Sequence, residues 1–232
     1  MAKSIKVALL LAVLLIAHGG PLHTPALWAQ TGDGSTFPTV TFTRNLSTAN
    51  PPSYSVAVTS MGSATYQSTP NSDQQTGVPY VLQFNISNAT QTQIFNLAQE
   101  LNFFHRKVRK DESVPASTGN RSLSFTNGPT QNSISYTSST NPQMKKLTKL
   151  FESISTTLEF GRRLGLLQNS NPAGLTAELQ RMQAAAQHGP LTEFAVIAPT
   201  VQQIAADSTV SEASRRYAQT ILKEASSWGN KQ

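Results

Sequence analysis

The amino-acid sequence predicts an α+β fold: an antiparallel sheet covered on one face by two amphipathic helices, with a three-helix segment after it. Three observations carry this. Apolar residues alternate with serine and threonine in several runs between positions 53 and 136; two stretches in or next to that region switch to helical spacing; and beyond Gly161 the strand signals stop while Ala and Gln become abundant.

The first residues, MAKSIKVALLLAVLLIAHGG, place Lys3 and Lys6 before an apolar run over residues 7–17, which Gly19, Gly20 and Pro21 follow. That order is the pattern of a Sec-type signal peptide. Eleven apolar residues are too few for a spanning helix, which needs about 20. Residues 1–29 are therefore expected to be a leader cleaved near Ala29, with no stable membrane span afterwards. Its removal takes two lysines and no acid, lowering the formal charge from +6 to +4. The chain has no cysteine, so it has neither disulfides nor thiolate chemistry. An exported chain without disulfides suggests a bacterial periplasmic or secreted protein.

Residues 30–52 are rich in Thr, Ser, Gly and Pro and are expected to be a flexible lead-in, with a short edge strand at residues 40–42. From Ser53, Tyr54, Val56 and Val58 point one way and Ser55, Ala57 and Thr59 the other; a turn at residues 61–63 returns a second strand over residues 64–67. Tyr80, Leu82, Phe84 and Ile86 share one face of a further strand. Ile94, Leu97, Leu101 and Phe104 then take helical spacing over residues 90–104. Leu123 and Phe125, then Ile134 and Tyr136, form a hairpin with a longer loop through residues 126–129. Asn141-Pro142 is a capping side chain followed by proline, and opens a helix with Met144, Leu147, Leu150, Phe151, Ile154 and Leu158 on one stripe. A shift of 50 residues superposes Phe84, Ile86, Ile94, Leu97 and Leu101 on Ile134, Tyr136, Met144, Leu147 and Phe151, which is compatible with a ββα duplication or with coincidence.

Residues 53–160 are thus expected to form the two-layer domain and residues 161–232 a helical C-terminal region, jointed near Arg162, Arg163 and Gly165. Asn171-Pro172 opens its first helix. Gly189-Pro190 separates it from the second, which Pro199 should kink, and Thr209 with Glu212 has capping-box spacing before the third.

Arg106, Lys107, Arg109 and Lys110 form the densest basic cluster. Such a cluster can mark a nucleic-acid patch. In an exported protein with mild net charge, the cations are better read as opposing the negative end of the preceding helix. No nucleic-acid partner is expected, and attraction to anionic lipid or cell-wall polymer stays open.

Catalytic patterns are scarce. After leader removal only His105 and His188 remain, each read as a helix-end residue, and no G-x-S-x-G, S-x-x-K or H-E-x-x-H pattern occurs. Glu100, Glu152, Glu159, Glu178, Glu193, Glu212 and Glu224 are expected on solvated helix faces. No cofactor or metal is implied. Tyr54, Tyr66, Tyr80 and Tyr136 fall on or beside strands; they either pack in the core or, on the face away from the helices, make a recognition platform. The expectation for function is a non-enzymatic exported module that binds an envelope protein or polymer. The alternatives are a carboxylate-based hydrolase of glycan or peptide and an inhibitor of a secreted enzyme.

Overall fold

A computed structural model describes residues 37–69, 78–105 and 119–228. The leader, the segment holding Arg106, Lys107, Arg109 and Lys110, and residues 70–77 lie outside the described residues. Six strands form one antiparallel sheet: β1 Thr39–Asn45, β2 Ser53–Thr59, β3 Ser63–Thr69, β4 Tyr80–Asn85, β5 Asn120–Asn127 and β6 Thr130–Tyr136, in the order β4-β3-β2-β1-β5-β6. The helices are α1 Asn88–Glu100, α2 Pro142–Ser170, α3 Pro172–Gln187, α4 Phe194–Ala206 and α5 Glu212–Ser226. Helices α1 and α2 cover one face of the sheet, and α3 to α5 follow as the C-terminal helical segment.

The alternating sequence determines which face is covered. Paired residues align in rows across the strands, and one inner row runs Leu82, Tyr66, Val56, Phe42, Leu123, Ile134. A second runs Phe84, Ala64, Val58, Val40, Phe125 and ends at Asn132. Phe151 of α2 stacks on Phe42 with ring centroids 5.4 Å apart, while Ile94, Leu97 and Ala98 of α1 are buried in the same core. Burying one greasy face under helices and leaving the other to water is the stable solution for an antiparallel sheet patterned this way.

Several expectations need correction. Residues 39–45 are neither a flexible lead-in nor an edge: β1 is central, paired along its whole length with β2 on one side and β5 on the other. Alternation marks a strand but carries no information about how many partners it has. The β5–β6 loop is tight, because Asn127 pairs with Thr130 and leaves only Gly128 and Pro129 between. Gly128 has φ 55, which a two-residue hairpin turn with glycine at its first central position requires. Helix α1 stops at Glu100 rather than near position 104. Asn102 follows its C-cap in the left-handed region, and a 3-10 turn at Asn102–Phe104 swings Phe103 onto Phe125 at 4.4 Å and buries Phe104. At α5 the cap is Ser211, whose hydroxyl accepts from the Ser214 N–H, while Thr209 instead closes a turn on Asp207.

The expected boundary at residues 160 and 161 falls inside α2, which continues unbroken for 29 residues. Gly161 has a packing reason. A Cβ built there would stand 2.4 Å from Ile197 Cγ2 and 2.9 Å from its Cβ, so α4 approaches α2 more closely than any side chain allows. Replacing Gly161 by Ala should lower stability by about 1–3 kcal/mol through overpacking, whereas helix propensity alone would raise it by about 1 kcal/mol. The sign of the shift in a urea unfolding midpoint decides between them.

Candidate functional site

The third inner row of the sheet differs from the other two. It reads Tyr80, Ser68, Tyr54, Arg44, Arg121, Tyr136 from one edge to the other, a polar row on the helix-covered face. Helix α2 meets it with a stripe of its own: Thr148, Glu152, Ser155, Glu159 and Arg162, spaced by four, three, four and three residues. That spacing keeps one helical face. The dimensions agree as well. Fourteen residues of helix rise about 21 Å, and five interstrand steps cover about 24 Å. Helix α2 therefore crosses the sheet along this row, with its apolar stripe beside it.

The contacts pair off in order. Tyr136 Oη and Thr148 Oγ1 are 2.6 Å apart, and Thr148 donates to the Met144 carbonyl at 2.7 Å, so the tyrosine is the donor to threonine. Arg121 Nε donates to Glu152 at 2.9 Å and its Nη1 to the Thr137 carbonyl at 2.8 Å, with Arg44 Nε 4.0 Å from the same carboxylate. Glu159 Oε1 accepts from Tyr66 Oη at 2.8 Å and Ser68 Oγ at 2.9 Å, while Oε2 accepts from Arg162 Nε at 2.8 Å. Arg162 also lies over the Tyr80 ring, 6.0 Å from its centroid. Outside the row the chain of charges continues: Arg163 reaches Glu159 at 3.6 Å and Glu178 of α3 at 2.6 Å, and Arg181 pairs with Glu178.

Glu159 and Glu178, expected on solvated faces, are 3% and 1% exposed. A buried carboxylate needs its charge and lone pairs met, and here arginines, a tyrosine and a serine meet them. Sequence did hold a signal. Residues 157–160 are Thr, Leu, Glu and Phe, all buried in succession, and Arg follows the acid at three and four residues. A helix apolar on both sides of an acid is covered all round.

The four tyrosines singled out in the sequence lie on the helix-covered face. Tyr54, Tyr66 and Tyr136 are buried and Tyr80 is half-buried, so no aromatic platform forms on the open face. Burial, and secondarily the Glu152 carboxylate, pushes the Tyr54 hydroxyl up to about 12. Burial likewise holds Tyr136 at about 12, against lowering by Thr148 and Arg121. Tyr66 is raised by burial and then by Glu159, and Tyr80 by burial and the same acid.

The open face is uniform in another way. Its rows include Val81, Gln67, Ser55, Thr43, Ser122, Ser135 and Gln83, Thr65, Ala57, Thr41, Ser124, Ser133. Among the described strand residues of this face none is charged and none is aromatic. A separate cleft of about 270 Å³ opens at the β6 end of the polar row, lined by Arg121, Tyr136, Thr137, Ser138, Ser139, Lys145 and Thr148. His105 and His188 are exposed at helix ends, and no group of three His, Cys, Asp or Glu converges among the described residues. Among those residues, no helix is long and apolar enough to cross a membrane. No protein-family model matches the chain, nor does any curated protein sequence.

Two measurements probe the seam. Glu159→Ala removes the carboxylate that accepts from Arg162, Tyr66 and Ser68 in the core and should destabilise by about 3–5 kcal/mol; adding Arg162→Met should restore part of that loss in urea unfolding. The tyrosines give a pH signature. Their folded pKa lies above the unfolded value, so their contribution is complete below pH 10 and declines as pH rises toward about 12. Two units correspond to about 2–3 kcal/mol for each group. Stability measured across that window should fall for the wild type and fall less steeply for Tyr54→Phe with Tyr136→Phe, the raised Tyr66 and Tyr80 sustaining the remainder.

Proposed function

We propose that the chain is an exported, non-enzymatic protein of a bacterial envelope that binds a neutral, hydroxyl- and amide-rich polymer through the open face of its sheet. The observation that carries the reading is the field of serine, threonine, asparagine and glutamine across six strands, interrupted only by Val81 and Ala57 and without a charge or an aromatic ring among the described positions. Hydroxyls and amides both donate and accept, so such a face matches a partner whose own groups do the same. A charged partner would lose its hydration there without gaining a counter-ion. Export is supported by the leader pattern in the first 29 residues, and lack of catalysis by the state of the seam's acids. Glu152, Glu159 and Glu178 are each paired with arginine in contacts that tie helix to sheet or helix to helix, a structural use of the carboxylates.

Co-sedimentation with insoluble neutral envelope polysaccharide tests this. The protein should pellet with the polymer, and Thr43→Arg, which puts a charge at the middle of the face, should weaken binding by roughly tenfold, the equivalent of about 1.4 kcal/mol. Its stability should shift by no more than about 0.5 kcal/mol, as for an ordinary surface substitution. Equal pelleting of wild type and variant, or release of soluble sugar, would overturn the reading.

A further inference from the structure

We propose that the cleft between the β5–β6 hairpin and the first turns of α2 is a binding site for a small oxyanion, a carboxylate or a phosphate group. The inference is independent of the polymer-binding face, which lies on the other side of the sheet.

The seven described lining residues are of polar types, two of them cations and none an acid, and carbon atoms of their side chains make up most of the wall between the polar groups. Among the described residues the local balance is positive. Glu152 is the acid of this end of the seam, and it is already shared by Arg121 at 2.9 Å and Arg44 at 4.0 Å. Lys145 is exposed and makes no ion pair among the described residues, so its ammonium is available. The hydroxyls divide into two sets. Tyr136 donates its proton to Thr148, and Thr148 donates its own to the Met144 carbonyl. Thr137 and Ser138 carry side-chain hydroxyls that make no hydrogen bond with a described residue. Lys145, Thr137 and Ser138 are thus the direct donors, and the Arg121 guanidinium supplies field from the cleft wall.

One further feature favours negative charge at this place. Lys145 and Thr148 belong to the first two turns of α2, whose N-terminal end bears the positive pole of a 29-residue helix. A volume of about 270 Å³ admits a single anionic group with a short substituent.

The probes are methyl phosphate and acetate, titrated into the purified, isotope-labelled chain at constant ionic strength, with chloride as control. Saturable amide shifts are expected at Thr137, Ser138, Ser139 and Lys145. Saturation by methyl phosphate alone assigns a phosphate site, by acetate alone a carboxylate site, and by both a general oxyanion site. Lys145→Gln should weaken binding by about fivefold or more, while Lys146→Gln, on the neighbouring exposed lysine outside the cleft, should leave it unchanged. The proposal fails if neither probe shifts these amides beyond chloride, if shifts scatter over the cationic surface without saturating, or if both lysine variants behave alike.

Discussion

The alignment of one polar row of the sheet under one polar stripe of α2 is the constraint on which the rest of the structure depends. An apolar helix on an apolar sheet is held by area, which is insensitive to a slide of a few ångströms. Partners at fixed places remove that freedom. Thr148 must find Tyr136, Glu152 must find Arg121, and Glu159 must find Tyr66 and Ser68, each over a different strand. Burying Glu159 and Arg162 costs desolvation that their attraction offsets only because hydrogen bonds satisfy the remaining lone pairs. What the arrangement contributes is a single orientation of α2 on the sheet.

Other contacts derive from that orientation. With α2 laid across the strands, its second half presents Gly161 to Ile197, and Arg163 to Glu178, fixing α4 and α3 respectively. Ser153 meets Thr192 at 2.7 Å, and Glu193 accepts from both the Ser87 N–H and hydroxyl at the start of α1. The C-terminal helices are joined to the two-layer part by specific polar contacts as well as by apolar packing. The open face carries no comparable demand, since short neutral side chains remain adequately solvated without partners.

Most of the element types were legible because they depend on local periodicity. Alternation at Tyr54, Val56 and Val58 gave β2 and its inner face, and Asn141-Pro142 gave the start of α2 to the residue. The same parity already set Tyr54 beside Val56, Tyr80 beside Leu82 and Tyr136 beside Ile134, so their place under the helices could have been drawn from it. The partners of β1 could not. Pairing across dozens of residues leaves no trace in the spacing of a seven-residue strand. Glu159 was misread by residue type, since an acid in a helix is ordinarily solvated and its buried partners, Tyr66 and Ser68, lie about ninety positions away. The cleft was hidden for a related reason: Arg121 and Lys145 come from different elements and meet only when the hairpin docks on α2.

The central position of β1 bears on how cooperatively the molecule forms. A β2–β3–β4 meander stands on one side of it and a β5–β6 hairpin on the other, and the strand that unites them comes first among the described strands. Neither flank completes its ladder without it, and the hairpin side closes only after a loop of about 75 residues, from Asn45 to Asn120, whose ends must be brought together at an entropic cost. Duplicated or coincident, the two ββα pieces meet within the sheet only through this strand, and the sheet is continuous because of it.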